Sequence, residues 1–316
     1  MTDNIKPKLK ASLFYLYGQR NAGDAAICLG ALSFLIKKGF AVTAFSRWPN
    51  PSPEYQTDFN HYSTHFEDVT IEGSPFLFKR VRNIPLLLFY YGMSFFRLFF
   101  SSSARKIMST IKGSDLVILN GGNLLRCQSV TDFIRLVGFL YPLCLARYYK
   151  VSYVIFPQST VEVNAIGKIL LRYVFSDAKG IWVREKESLE KFSILFPDVN
   201  FLFAPDMAFH IPCPAMIHGD VMDKDCIKVA MTVRSHTIGD ANEFEVEKQG
   251  EIIKTLSYII DRISTRYKIS LTFVVQCDKD LKITKEVQKN IQEKKIANLQ
   301  GCEIYDSRNN HDLLLF

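Results

Sequence analysis

Six continuous apolar runs separated by helix-like stretches constrain this chain most: ASLFYLYG (11–18), FAVTAFS (40–46), SDLVILNGG (114–122), VSYVIFPQS (151–159), GIWVRE (180–185) and VNFLFAPD (199–206). A sheet with one wet face would alternate apolar and polar residues. Runs without alternation predict strands buried on both faces of a parallel sheet, with the intervening helices as crossovers. The first helix is expected from about Ala25 to Lys38, with Cys28, Leu32, Leu35 and Ile36 on one face and Gly39 as its C-cap.

A second series follows HIPCPAMIHGDVMDKD (210–225), where prolines, a glycine and charges interrupt any period and predict a linker. It comprises a strand at 227–233, a helix carrying Ile252, Ile253, Leu256, Ile259, Ile260 and Ile263, a strand at 269–276, a helix with Ile283, Val287 and Ile291, and a short strand at 302–305. A chain of 316 residues is long for one hydrophobic core. The expected fold class is α/β, with one parallel-sheet domain at 1–210, a linker at 211–225 and a second domain at 226–316. Three strands with two helices cover a sheet poorly, so the second domain is expected to be incomplete, either truncated or completed by another chain.

The formal charge of +7 arises from 39 basic and 32 acidic residues, with clusters at 79–82 and 285–295. It favours anionic partners such as a phosphorylated substrate or lipid head groups. No basic patch interleaved with stacking aromatics is present, so no nucleic-acid partner is expected. Seven cysteines at 28, 127, 144, 213, 226, 277 and 302 form no CxxC pair, and MTDNIKPKLK has no apolar signal core. The expected location is a reducing cytoplasm, and no metal site or resident cofactor is expected.

The segment IPLLLFYYGMSFFRLFF (84–100) is apolar all round but shorter than the ~20 residues that span a bilayer. Two readings stay open: a buried or interdomain helix, and a helix lying shallowly on an anionic membrane face with Lys79, Arg80, Arg82, Arg105 and Lys106 beside it.

In parallel α/β sheets ligands bind beyond the carboxyl ends of the strands. Four such loops carry candidates. In GQRNAGDAAIC (18–28), Gly18 and Gly23 suit a tight turn and Asp24 stands where an N-cap would be; Asn21 and Asp24 could instead bind sugar hydroxyls. In LNGGNLLR (119–126), Gly121 and Gly122 are expected to leave amides uncovered at a helix N-terminus, beside Asn123. FPQST (156–160) offers Gln158 and Ser159 for hydroxyl recognition, or merely a polar strand end. MTVRSH (231–236) places Arg234 and His236 after a strand, where an arginine could clamp a carboxylate or phosphate or sit in a surface ion pair.

In this order the pieces resemble the polysaccharide pyruvyl transferase family. NAGDAAI is similar to its N-x-G-D-x-A-I motif, DLVILNGGNL to its G-G-G loop, VREKESLEKF to its R-x-x-x-S helix start, APDMAF to its D-P-A-F segment and VAMTVR to the strand opening its second domain. The resemblance implies two Rossmann-like domains arranged as in GT-B glycosyltransferases. It implies transfer of pyruvate from phosphoenolpyruvate, as co-substrate, to a pair of sugar hydroxyls as a ketal in cell-surface polysaccharide synthesis. On it, Asn21, Gly23, Asp24, Gly121, Gly122, Asn123, Gln158 and Ser159 fall on the side of a saccharide or lipid-linked saccharide acceptor, and Arg234 and His236 on the donor side. Asn123 departs from the third glycine of the motif, and FPQST lacks the family's glycine-proline. The family's Arg-Leu-His motif does not occur in the sequence; the expectation is impaired activity from C-terminal truncation, with the general acid unassigned. Two alternatives stand beside this one: a GT-B glycosyltransferase using a nucleotide sugar, and an inactive acceptor-binding fragment.

Overall fold

The computed structural model describes residues 8–18, 21–74, 84–159, 162–212, 226–234, 243–277, 279–294 and 296–306. Contact density divides the chain into two compact units, Met1–Gln19 with Asp24–Pro212, and Arg20–Gly23 with Cys213–Phe316.

In the first unit, β1 (Lys10–Leu16), β2 (Ala41–Ser46), β3 (Thr70–Glu72), β4 (Leu116–Leu119), β5 (Tyr153–Gln158), β6 (Gly180–Val183) and β7 (Leu202–Phe203) form one sheet in the order β3-β2-β1-β4-β5-β6-β7. Every neighbouring pair is parallel. All six residues of β5 and all but the first of β1 are buried, as the unbroken apolar runs require of strands covered on both faces. At the edge the pattern fails. The run at 199–206 yields only a two-residue strand whose Leu202 and Phe203 are exposed, while Phe201 turns inward and stacks on Phe192 at 5.2 Å. β3 is too short to leave a periodic signal.

Seven helices connect these strands: α1 (Ala22–Lys37), α2 (Pro53–His65), α3 (Ile84–Phe100), α4 (Ser102–Lys112), α5 (Val130–Tyr148), α6 (Ala165–Phe175) and α7 (Lys186–Leu195), followed by a 3-10 turn at Met207–His210. α1 starts three residues before the expected point. Asn21 precedes it and accepts the Gly23 amide at 3.1 Å, so Asp24 lies in the first turn and is not the N-cap. Cys28, Leu32 and Leu35 are buried as expected, but Ile36 is exposed. Gly39 takes φ +83°, the left-handed conformation that closes a helix. Gly30 is required for contact: a Cβ there would stand 1.8 Å from the Met207 carbonyl oxygen.

α2 is capped by Ser52, whose Oγ accepts the Tyr55 amide at 3.1 Å, and Pro53 follows in the first turn. It buries polar groups against the carboxyl ends of β1 and β2. The Ser46 hydroxyl donates to Asp58 Oδ2 at 2.6 Å, and the Tyr62 hydroxyl donates to the Tyr17 carbonyl at 2.5 Å. Burial pushes the Asp58 carboxyl up to about 7 with help from Glu54, outweighing the Ser46 hydrogen bond and the Arg47 cation.

The second unit holds β8 (Cys226–Met231), β9 (Lys268–Val275) and β10 (Leu299–Asp306) in the order β10-β9-β8, again parallel, with α8 (Glu243–Ser264) and α9 (Asp280–Glu293). Its core gathers Ile260, Leu271, Phe273, Ile283, Val287 and Ile291. β9 alternates buried and half-buried residues, and Ile227 of β8 is exposed. Positions 213–225 of the expected linker lie outside the described residues.

Two outcomes follow. The folded state holds the Asp58 proton more tightly than the unfolded chain, whose aspartate titrates at the ordinary 3.8. This group therefore makes stability fall as pH rises through the interval from about 4 to about 7. Urea denaturation across that interval is expected to show a shallower decline in Asp58→Asn than in the parent; an unchanged slope counts against a buried, protonated Asp58. Gly30→Ala must displace backbone and is expected to cost about 3 kcal/mol, read as a lowered denaturation midpoint.

Candidate functional site

Strand order reverses between β1 and β4, so the loops leaving their carboxyl ends flank the switch point where α/β sheets open a crevice. The loop after β4 is held from both sides. Asn120, fully buried, donates through Nδ2 to the Tyr15 carbonyl at 3.1 Å and to Cys28 Sγ at 3.2 Å, and its Oδ1 accepts the Gly121 amide at 2.9 Å. Cys28 Sγ also accepts the Tyr17 amide at 3.1 Å. Burial pushes its thiol up to about 12, so it serves as a neutral acceptor and not a nucleophile.

Gln158 completes the frame. Its Nε2 donates to the Asn120 carbonyl at 2.6 Å and to the Phe156 carbonyl at 3.1 Å, and its Oε1 accepts the Leu124 amide at 3.2 Å. The side chain is wholly buried and its polar atoms are engaged by the backbone, so it shapes the loop. Of the two readings of FPQST, these contacts support the polar strand end for Gln158.

The expectation for the double glycine is corrected. The Gly121 amide goes to Asn120 Oδ1 and the Gly122 amide to the Pro157 carbonyl at 3.1 Å, and the next helix, α5, begins only at Val130, behind a capping box of Ser129 and Asp132. No helix N-terminus with uncovered amides stands at Gly121–Gly122. What the glycines supply is room and conformation. Gly122 takes φ +127°, and a Cβ there would lie 3.0 Å from the Tyr17 hydroxyl, while a Cβ on Gly121 would lie 3.0 Å from the Pro157 carbonyl oxygen. Asn123, next in line, is exposed.

Ser159 begins a second, charged array. Its amide donates to the Gly122 carbonyl at 2.8 Å, its Oγ accepts from Arg184 Nε at 2.5 Å, and its hydroxyl donates to Glu185 Oε1 at 2.7 Å. Arg184 follows β6, and its guanidinium also pairs with Asp206 Oδ2 at 2.5 Å, while Asp206 Oδ1 accepts the Ala208 amide at 3.0 Å. Glu185 is exposed over about half its side chain; the desolvation it does suffer raises its carboxyl, but hydrogen bonds from Ser188 and Ser159 and the Arg184 cation overcome this and hold it below the usual carboxylate range. Arg184 thus stands half-buried and fixed in orientation at the carboxyl ends of β5 to β7.

The structure therefore joins Gly121, Gly122, Gln158 and Ser159 into one hydrogen-bonded set, with Asn123 at its exposed end. Asn21 and Gly23, the latter already in α1, fall in the segment Arg20–Gly23 that groups with the second unit, whereas Asp24 belongs to the first. Arg234 is exposed three residues beyond β8, and His236 lies outside the described residues. Sequence reasoning did not single out Tyr17, Asn120, Arg184, Glu185 or Asp206. VREKES and APDMAF marked the places of the last three as motif blocks, but pairing between residues 184 and 206 is visible only once β6 and β7 lie side by side. A cleft of about 410 Å³ lined by Lys10, Ala41, Thr43, Asp68 and Ser114 opens at the opposite, amino ends of β1 and β2, away from these loops.

Comparison with known proteins agrees on the fold. The chain is similar to the structure titled as a UDP-N-acetylglucosamine 2-epimerase from Listeria monocytogenes, at 12% identity with a TM-score of 0.50 over 97% of this chain and 72% of that one. It is also similar to LpCGTa in complex with UDP, at 11% identity with a TM-score of 0.50 over 94% of this chain and 70% of that one. At such identities the likeness concerns the α/β fold with two parallel sheets and not the chemistry. No curated protein matches the sequence significantly. The sequence profile described as Polysaccharide pyruvyl transferase, however, matches residues 21–309, reaching into both units, and the chain belongs to that family.

Proposed function

We propose that this protein transfers pyruvate from phosphoenolpyruvate to a pair of hydroxyls on a saccharide or lipid-linked saccharide, forming a ketal and releasing phosphate. The observation that carries this reading is the fixed array running from the Gly121–Gly122 loop through Ser159 to Arg184 and Asp206, in a chain of this family.

The chemistry sets what the residues must do. The enol C3 takes a proton, C2 becomes oxocarbenium-like, two hydroxyl oxygens bond to C2 as their protons leave, and the C2–O bond to phosphate breaks. Charge in the donor demands cations that are already oriented, since a guanidinium reorganised during the reaction stabilises less. In the first unit Asp206 and Ser159 fix the plane of Arg184, which is also paired with Glu185 at 3.2 Å; a donor carboxylate or phosphate would meet its Nη2 edge. In the second unit Arg234, two residues before His236 in the sequence, is the donor-side candidate. On the acceptor side, exposed Asn123 and half-buried Asp24 lie outside the frame, and Asn21 accepts the amide of Gly23 in the first turn of α1. Gly121, Gly122 and Gln158 act behind them as positioning residues.

The test is phosphate release from phosphoenolpyruvate that depends on added saccharide, against UDP or GDP release from nucleotide sugars as the competing activity. Release of nucleotide instead of phosphate would replace the pyruvyl reading with a glycosyl one. Arg234→Ala is expected to weaken phosphoenolpyruvate binding roughly ten- to a hundredfold, the scale of one charge-assisted hydrogen bond. Unchanged donor affinity would remove Arg234 from the site. Gln158→Leu is expected to lower kcat/KM for the acceptor while leaving donor affinity in place; an equal loss for both substrates would mean that the frame serves the whole fold and not the acceptor loop.

A further inference from the structure

α3 has its polarity inverted. At about 3.6 residues per turn, Phe89, Met93, Phe96 and Phe100 fall on one stripe with Phe99 at its margin. All five are exposed, between 41% and 64%. The opposite side of the helix hides Ser94 and Leu98, and the Tyr141 hydroxyl of α5 donates to the Leu98 carbonyl at 2.6 Å. Phe96 and Phe100 lie with ring centroids 4.7 Å apart, so the exposed stripe is a contiguous aromatic surface and not scattered residues. No described helix is long and apolar enough to cross a membrane.

Charge decides the occupant. Between Glu72 and Asp115 the sequence has no acidic residue, while Arg105, Lys106 and Lys112 follow α3 in α4, Lys106 being paired with Glu72 at 2.6 Å. A second copy of the same surface would bring these cations against their own kind. An anionic lipid surface satisfies both features together, acyl chains for the phenylalanines and head groups for the cations. We propose that α3 lies flat in the interface of an anionic bilayer, with Phe89, Met93, Phe96, Phe99 and Phe100 among the acyl chains. The proposal does not depend on the reaction assigned above, and its test involves no turnover.

The purified chain is to be sedimented with vesicles of phosphatidylcholine containing about 30 mol % phosphatidylglycerol, and with phosphatidylcholine alone. The expected result is binding to the anionic vesicles at least roughly tenfold tighter than to neutral ones, weakened by salt and lost in Phe89→Ser/Phe96→Ser/Phe100→Ser with unchanged circular dichroism. A Phe96→Trp variant is expected to gain quenching by brominated lipid over the parent. That second variant decides the matter if the triple variant fails to fold. Absence of anionic binding, equal binding by a folded triple variant, no added quenching at position 96, or a lipid-independent dimer that the triple variant dissolves would each overturn the proposal.

Discussion

Removing the Gln158 carboxamide from water is permissible only because each of its polar atoms finds a backbone partner, and those partners are what fix the site. A buried amide left unsatisfied costs on the order of 1–3 kcal/mol, so the Asn120 carbonyl and the Leu124 amide are held where the carboxamide can reach them. Asn120 is bound by the same requirement to the end of β1 and to Cys28 of α1. Strands β1, β4 and β5, neighbours in the sheet, are thereby tied to one another and to α1 through two buried amide side chains. Ser159, one residue past Gln158, inherits its position from this frame, and Arg184 and Asp206 inherit theirs in part from Ser159. The array is a hierarchy: neutral hydrogen bonds set the geometry deep inside, and charged groups rest on them nearer the surface.

That layering governs what the sequence discloses. Continuous apolar runs betrayed the central strands because a strand buried on both faces leaves no polar residue to misplace; β1, β2, β4 and β5 were legible for this reason. At the sheet's edge the same argument overreached, since Leu202 and Phe203 are as apolar as core residues and yet exposed. Asp24 was mistaken for a cap because Asn21 and Asp24 are both good capping residues, and only the first helical residue, Ala22, distinguishes them. The partners of Gln158 and of the double glycine were hidden for one reason. A polar residue at a strand end looks available to a ligand until the partner that consumes it is seen, and that partner lies 38 residues away in the case of Asn120. Arg184 was present in a quoted motif but carried no individual signal, because its counter-charge arrives from another strand.

Two environments for carboxylates coexist within one sheet. Asp58, beneath α2, gains a proton through burial, whereas Glu185 keeps its charge because two hydroxyls and a guanidinium surround it. The difference is one of depth first, Asp58 being enclosed and Glu185 exposed, and of hydrogen-bond supply second. It keeps the charge of the β5 to β7 loops poised between Arg184, Glu185 and Asp206, while the neighbouring end of the sheet is closer to neutral at the pH where Asp58 is protonated.

Gly122 and Asn123 sit side by side under opposite constraints. The first cannot acquire a side chain without meeting the Tyr17 hydroxyl, and its backbone conformation excludes most residues anyway; the second points outward from a frame that does not use it. A loop arranged in this way separates heritable shape from adjustable surface. Exchange at position 123 can alter what the rim presents without disturbing a single buried hydrogen bond, so divergence in ligand preference has a route here that does not pass through a loss of folding.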